Sequence, residues 1–278
     1  MKKVIIADPT GFCFGVKRAV DKIIHALSNE DEVWSIGMPI HNPQEVARLK
    51  TMGLRVAKDA ADIPDGARVL IRAHGEPRAV IKELHDKGAH VVDMTCPFVR
   101  RAQELASELS SQGYHIVLLG DRNHPEIRSI MGYIDGDADV VIDSAEAEKL
   151  SKRSRIALIS QTTQQEELLA SIASLLVLKA GELHVCNTIC VSTVERQDAV
   201  RRLVGHVDGI VVIGGKESAN TAKLRDIAKT NDMDVVWIED IDEMDWGWLE
   251  GKNTIGIAAG ASTPQWLITE VCNKIGRM

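Results

Sequence analysis

The chain has 278 residues, 45% of them apolar and 26% charged, with a formal net charge of −7. That is ordinary for a globular chain long enough to bury a large core or several small ones, and the acidic balance excludes a general nucleic-acid binder while leaving room for a local basic pocket. Five sparse cysteines exclude a dense secreted disulfide framework, and no signal-peptide core or run of roughly 20 apolar residues is present, so a cytoplasmic protein with reduced thiols and no membrane partner is expected.

Short Val- and Ile-rich runs predict strands at Lys3–Ala7, Glu32–Ile36, Leu54–Ala57, Arg68–Ile71, His90–Asp93, His115–Gly120, Asp139–Ile142, Arg155–Ile159, Gly209–Ile213, Asp234–Ile238 and Thr254–Ala258. Amphipathic runs predict helices at Pro43–Thr51, Pro77–Lys87, Val99–Ser111, Gln164–Leu178, Glu195–Val204, Asn220–Thr230 and Pro264–Ile275, with a further helix-like run after Cys13. Strand and helix alternate, the pattern of a parallel α/β sheet. The segment Glu239–Asn253 has no clean period; it is expected to be a surface excursion with Trp246 and Trp248 folded back as packing anchors.

Three cysteines share one setting. Cys13, Cys96 and Cys190 each follow a strand-like run and precede a helix-like one, with Gly11, Gly15 and Pro97 at the turns. This divides the chain into three α/β lobes, 14–95, 96–189 and 190–278, the last recruiting the first strand (1–13). Packing of the lobes about a pseudo-threefold axis would gather the cysteines beyond the carboxyl ends of the strands, where parallel sheets bind ligands. Three thiolates suit an iron–sulfur cluster with one iron left open to substrate. Zinc is the competing metal, although the closely spaced ligand pairs usual for zinc are missing. Three unrelated buried thiols are the plainest alternative. Cys186 and Cys272 lack the shared setting and read as core residues.

Three histidines also share a context: His41 in IHNPQEV, His74 in RAHGEP and His124 in GDRNHPEI. Each follows a strand and enters a proline-marked turn or helix. Asn42 with Glu45 reads as a capping box. Helix N-termini attract phosphate, and a histidine there adds a donor. The other six histidines read as surface or packing residues. The last lobe offers Ser218, Asn220 and Ser262 at glycine-rich turns, as caps or as phosphate donors. Lys216 does not complete the G-x₄-G-K-[ST] order, so a nucleoside triphosphate loop is rejected. Glu126, two residues past His124, is either a proton relay or a helix N-terminal acid. Thr162, Thr163 and Thr193 are caps or hydroxyls placed on substrate.

Taken together, GFCFGVKRAV, IHNPQEV, RAHGEP, DMTCPFV, GDRNHPEI, SQTTQ, NTICVSTVERQ, GGKESANTAKL and AGASTP resemble the 4-hydroxy-3-methylbut-2-enyl diphosphate reductase family, across nearly the whole chain. The resemblance implies a trefoil of three α/β lobes around one [4Fe–4S] cluster per chain, with Cys13, Cys96 and Cys190 as its ligands. It implies that His41, His74, His124, Ser218, Asn220 and Ser262 bind diphosphate, that Glu126 supplies protons, and that Thr162 contacts the substrate alcohol. The implied reaction is reductive dehydroxylation to isopentenyl and dimethylallyl diphosphates, the last step of the methylerythritol phosphate route. Its implied electron donor is a ferredoxin or flavodoxin, and the chain is expected to be a monomer or weak homodimer. Ala219 stands where many relatives have a second serine, which removes one hydroxyl. Two rival readings differ in kind. A quinolinate-synthase-like cluster enzyme would favour arginine over three histidines, and a non-catalytic iron–sulfur sensor would have no use for Glu126.

Overall fold

The computed structural model of the protein describes residues 1–30 and 32–278. Its strands are β1 (Lys3–Ile6), β2 (Val33–Ile36), β3 (Leu54–Ala57), β4 (Arg68–Ile71), β5 (His90–Asp93), β6 (His115–Leu119), β7 (Ala138–Val141), β8 (Arg153–Ser160), β9 (Ala180–Cys186), β10 (Gly209–Ile213), β11 (Val235–Ile238) and β12 (Thr254–Ala259). The helices are α1 (Phe14–Leu27), α2 (Pro43–Thr51), α3 (Arg78–Asp86), α4 (Pro97–Ser111), α5 (Pro125–Met131), α6 (Ser144–Glu148), α7 (Glu166–Val177), α8 (Val191–Leu203), α9 (Ala219–Thr230) and α10 (Gln265–Gly276).

By its internal contacts the chain divides into two compact units. The first comprises Met1–Ile24, Ile40–Gly53 and Val191–Met278. Its sheet runs β1-β12-β10-β11, every pair parallel. Side chains alternate across it, as the pleat requires. Val211 and Ile213 of β10 join Leu267, Ile268, Val271 and Ile275 of α10 on one face. Ile210 and Val212 join Ala199, Val200 and Leu203 of α8 and Leu224 and Ile227 of α9 on the other. Both faces are covered, which explains why GIVVI reads as an unbroken apolar run.

The second unit comprises His25–Pro39 and Leu54–Cys190 and carries two parallel sheets, β3-β2-β4-β5 and β7-β6-β8-β9. The second of these is likewise two-sided. Ile116 and Leu118 of β6 pack with Ala102, Ala106 and Leu109 of α4 and Ile127 and Ile130 of α5. Val117 and Leu119 pack with Ala147 of α6 and Leu169, Ile172 and Leu176 of α7. All three sheets have one topology. The edge strands β5, β9 and β1 lie beside β4, β8 and β12; next come β2, β6 and β10, and then β3, β7 and β11. The strand that begins the chain thus completes the sheet that ends it.

The parallel α/β reading holds, and several local expectations change. The strand-like run expected before Cys190 is β9, whose start is hidden because Gly181, Glu182 and His184 break its apolar pattern; it is an edge strand paired to β8 alone. α8 begins at Val191, well before the predicted Glu195. Its β-branched first turn has weak helix propensity, but Thr193, Arg196 and Gln197 are buried there and tertiary packing prevails. The short helices α5 and α6 are too brief for periodicity to reveal. Asn42 caps α2 by accepting from Glu45 N at 2.8 Å. The Glu45 carboxylate does not reciprocate: Arg48 and the Trp266 indole N–H donate to it instead. In the Glu239–Asn253 segment Trp248 packs on the core while its indole donates to Asp234, but Trp246 is exposed. No helix among the described residues is long and apolar enough to cross a membrane.

Candidate active site

Each sheet delivers a cysteine from its edge strand into a helix: Cys13 between β1 and α1, Cys96 between β5 and α4, Cys190 between β9 and α8. The anchoring is the same each time. The backbone N–H of Cys13 donates to Ala261 O at 3.0 Å, that of Cys96 to Ala73 O at 2.9 Å, and that of Cys190 to Thr162 O at 2.9 Å. Every acceptor is the second residue beyond the adjoining strand, β12, β4 or β8. No disulfide involves these cysteines. Cys13 Sγ also accepts from Val16 N at 3.5 Å, in the first turn of α1. Sulfurs at the positive ends of helices suit the negative charge a metal-bound thiolate carries. Cys186 is buried and Cys272 half-buried in apolar packing, and desolvation raises both thiol pKa values. They are the core residues expected.

The same bookkeeping places the polar residues. His74 and Ser262 are the third residues beyond β4 and β12, and Thr163 is the third beyond β8. His41, His124 and Ser218 are the fifth residues beyond β2, β6 and β10, each at the entry to α2, α5 or α9. Thr163, passed over in favour of Thr162 at the sequence level, therefore holds the position of His74 and Ser262. Its Oγ1 is buried with no hydrogen-bond partner. The signal was present as the offset from the strand end, legible only once strand ends are known.

In the second unit the polar residues form one connected set. The rings of His74 and His124 meet edge-on, centroids 5.5 Å apart. His124 caps α5: its Nδ1 accepts from Glu126 N at 3.1 Å, which leaves Nε2 to carry the proton of the neutral ring. Burial pushes the His124 pKa down to about 4, so the ring is a neutral donor near pH 7. Glu126 is 2% exposed; its Oε1 accepts from Thr162 N at 2.6 Å and its Oε2 from Thr162 Oγ1 at 2.7 Å. Desolvation raises its pKa to about 7, outweighing the two Thr162 hydrogen bonds that favour the carboxylate. A carboxyl poised near neutrality can donate a proton and be recharged. Through the Thr162 carbonyl, the acid and the Cys190 amide share one turn.

In the first unit Ser262 Oγ donates to His41 O at 3.0 Å, and a Cβ at Gly215 would lie 2.5 Å from that oxygen, so only glycine fits there. Ser218 caps α9 by accepting from Thr221 N at 3.3 Å; its own hydroxyl proton can still be donated. Asn220 is 5% exposed, and neither its amide nitrogen nor its oxygen has a hydrogen-bond partner. Buried amides are nearly always paired, so this one points to a ligand. Arg196, 4% exposed, donates to Gly11 O at 2.8 Å and Ser192 O at 2.9 Å. It ties the Cys13 turn, where Gly11 adopts φ +77°, to α8. Lys216 is spent on Trp237 O and Glu243, in keeping with its rejection as a phosphate-loop lysine.

Residues 4–276 match the family model described as LytB protein. A protein of Geobacter sulfurreducens called 4-hydroxy-3-methylbut-2-enyl diphosphate reductase is 41% identical over 98% of this chain and 96% of its own length. One of the same description from Syntrophotalea carbinolica is 39% identical over 99% of both chains. A solved structure of (E)-4-hydroxy-3-methyl-but-2-enyl diphosphate reductase, described as the terminal enzyme of the non-mevalonate pathway, is 39% identical, covers 100% of each chain and superposes with a TM-score of 0.72. The E-1-hydroxy-2-methyl-but-2-enyl-4-diphosphate reductase of Plasmodium falciparum shares the fold, with a TM-score of 0.94 over 98% of this chain and 87% of that one, at 24% identity.

Proposed function

The chain belongs to the LytB family, and on that premise we propose that it reduces 4-hydroxy-3-methylbut-2-enyl diphosphate to isopentenyl and dimethylallyl diphosphates at an iron–sulfur cluster. The observation that carries this reading is the threefold repeat of one constellation, a helix-entry cysteine with a histidine or hydroxyl at fixed offsets beyond two neighbouring strands, joined to a single buried acid, Glu126. A quinolinate-synthase-like enzyme or a sensor has no comparable support.

We assign Cys13, Cys96 and Cys190 as ligands of a [4Fe–4S] cluster, one at each boundary between the lobes 14–95, 96–189 and 190–278 with 1–13. The donor set fits: three cysteines in equivalent backbone settings at helix N-termini, with no disulfide among them. Bound there, the cluster supplies the reducing electrons and the Lewis acidity of an iron with no protein ligand. The protein's part is positioning and proton delivery. His41, His74, His124, Ser218, Asn220, Ser262 and Thr163 donate to the diphosphate and orient the rest of the substrate. Thr162 presents its hydroxyl to the substrate alcohol, and Glu126 gives up the proton with which that oxygen leaves as water. The carboxyl is then reprotonated for the second proton of the reaction. Ferredoxin or flavodoxin delivers the electrons.

One experiment tests the whole. Protein purified without oxygen should contain close to four irons and four sulfides per chain and should convert the allylic alcohol diphosphate to both products with a chemical reductant. Full cluster occupancy with no turnover of this substrate would refute the assignment.

A further inference from the structure

The turn between β4 and α3 carries two charged residues with no part in the reading above. Arg72 directly follows β4, and Arg72 Nε donates to Glu76 Oε1 at 2.8 Å; the side chains are only 14% and 7% exposed. The backbone closes around this pair. Gly75 N donates to Arg72 O at 2.9 Å with Gly75 at φ +72°, and a Cβ at Gly75 would lie 2.5 Å from Gln103 Nε2. On the other side a Cβ at Gly37 would lie 2.6 Å from Arg72 Nη1, so glycine lets the guanidinium pack against the exit of β2. Arg72 is thus fixed two residues from His74, in the turn that aims that histidine.

A buried ion pair seldom repays its own desolvation, so its retention calls for a use. The charge balance of the unit supplies one. His124 is a neutral donor near pH 7, and the charge of Arg72 is near enough to help keep it neutral. A neutral ring offers a hydrogen bond but no net charge, whereas a diphosphate brings several negative charges into a dry site. Arginine is permanently cationic.

On the reading of His74 and His124 as diphosphate donors, we propose that Arg72 is a positioning residue for the substrate: the fixed cation behind the two histidines, held in place by Glu76, that adapts the turn to a polyanion. It acts through its field and through the His74 turn.

The test titrates inorganic diphosphate into anaerobically purified holoenzyme by calorimetry, for the wild type and for Arg72→Met, Arg72→Lys and Glu76→Gln, with KM and kcat measured alongside. Arg72→Met should weaken diphosphate binding about tenfold, as loss of a charge-assisted interaction does, and should raise KM more than it lowers kcat. Arg72→Lys should recover most of the affinity. Glu76→Gln should bind more tightly than the wild type, because it deletes a negative charge and leaves Arg72 uncompensated. A purely structural ion pair would be broken alike by both changes, so weakening in both, or no change in Arg72→Met, overturns the proposal. Should Arg72→Met not fold, Glu76→Gln decides: tighter binding supports the proposal and weaker binding overturns it. Wild-type holoenzyme that fails to bind inorganic diphosphate would remove the diphosphate reading of the histidines, and this proposal with it.

Discussion

Thr162 holds Glu126 with two donors at once, its backbone N–H on Oε1 at 2.6 Å and its hydroxyl on Oε2 at 2.7 Å. Both bonds favour the ionised acid, and burial still wins, leaving the pKa at about 7. The same residue offers its carbonyl to the Cys190 amide. Acid, hydroxyl and cysteine are therefore set by a single turn after β8.

The first prediction follows from that acid. Glu126→Gln should retain iron and bind substrate but lose turnover by about 10²–10⁴-fold, the usual worth of a positioned proton donor. In the wild type kcat should fall as pH rises through about 7, because the donor is then ionised. Stability has the same sign. A carboxyl with a folded pKa above its unfolded value of 4.5 takes up protons on folding, so its contribution falls as pH rises from 4.5 to 7 and is level above that. Denaturant titrations of the wild type and Glu126→Gln across that window measure it, and parallel curves would count against it.

Thr162→Val removes the hydroxyl donor but leaves the backbone one. Loss of a bond to the charged form should raise the Glu126 pKa further, moving the basic limb of the kcat profile upward while lowering its plateau. A limb that stays in place would show that the hydroxyl bond is unimportant to the acid.

Substituting serine at Cys13, Cys96 or Cys190 should each deplete iron and the visible chromophore, while Cys272→Ser should retain both. Iron assays on the four variants separate ligands from core. Equal iron in Cys13→Ser and Cys272→Ser would remove Cys13 from the ligand set.

Asn220→Ala should raise KM without loss of stability. The side chain is buried with both amide atoms unpaired, a burden that binding relieves. The alanine variant should melt no lower than the wild type, and a large drop in Tm would mean that the amide is structural instead.

Arg196→Met should strip the Gly11 and Ser192 carbonyls of a buried donor, at a cost of about 1–3 kcal/mol. It should also hasten loss of iron in air by loosening the Cys13 turn. The two readouts are denaturant midpoint and the decay of the chromophore.

Much of this was legible in the residues alone. Val- and Ile-rich runs marked eleven of the strands, most plainly β6 and β10, which are buried on both faces and have no solvent-facing positions to fill. Cys13, Cys96 and Cys190 stood out by setting, and the proline-marked histidines by context. What periodicity left without clear bounds had local causes: β9 is a polar edge strand, and α8 opens on β-branched residues that only packing makes helical. Thr163 looked no different from Thr162 until the strand ends gave it the offset of His74 and Ser262, and the hydrogen bonds tied Thr162 to Glu126.

By itself the sequence determined which chemical groups this protein possesses and the order of strand and helix that carries them, because apolar spacing and turn residues act over a few neighbours. Only the tertiary structure decided that Glu126 is dry enough to hold a proton near pH 7, that Asn220 is buried without a partner, and that Arg72 is packed against Glu76 two residues from His74. Each of these depends on which distant segments exclude water from a side chain, and desolvation is a property of the packed whole.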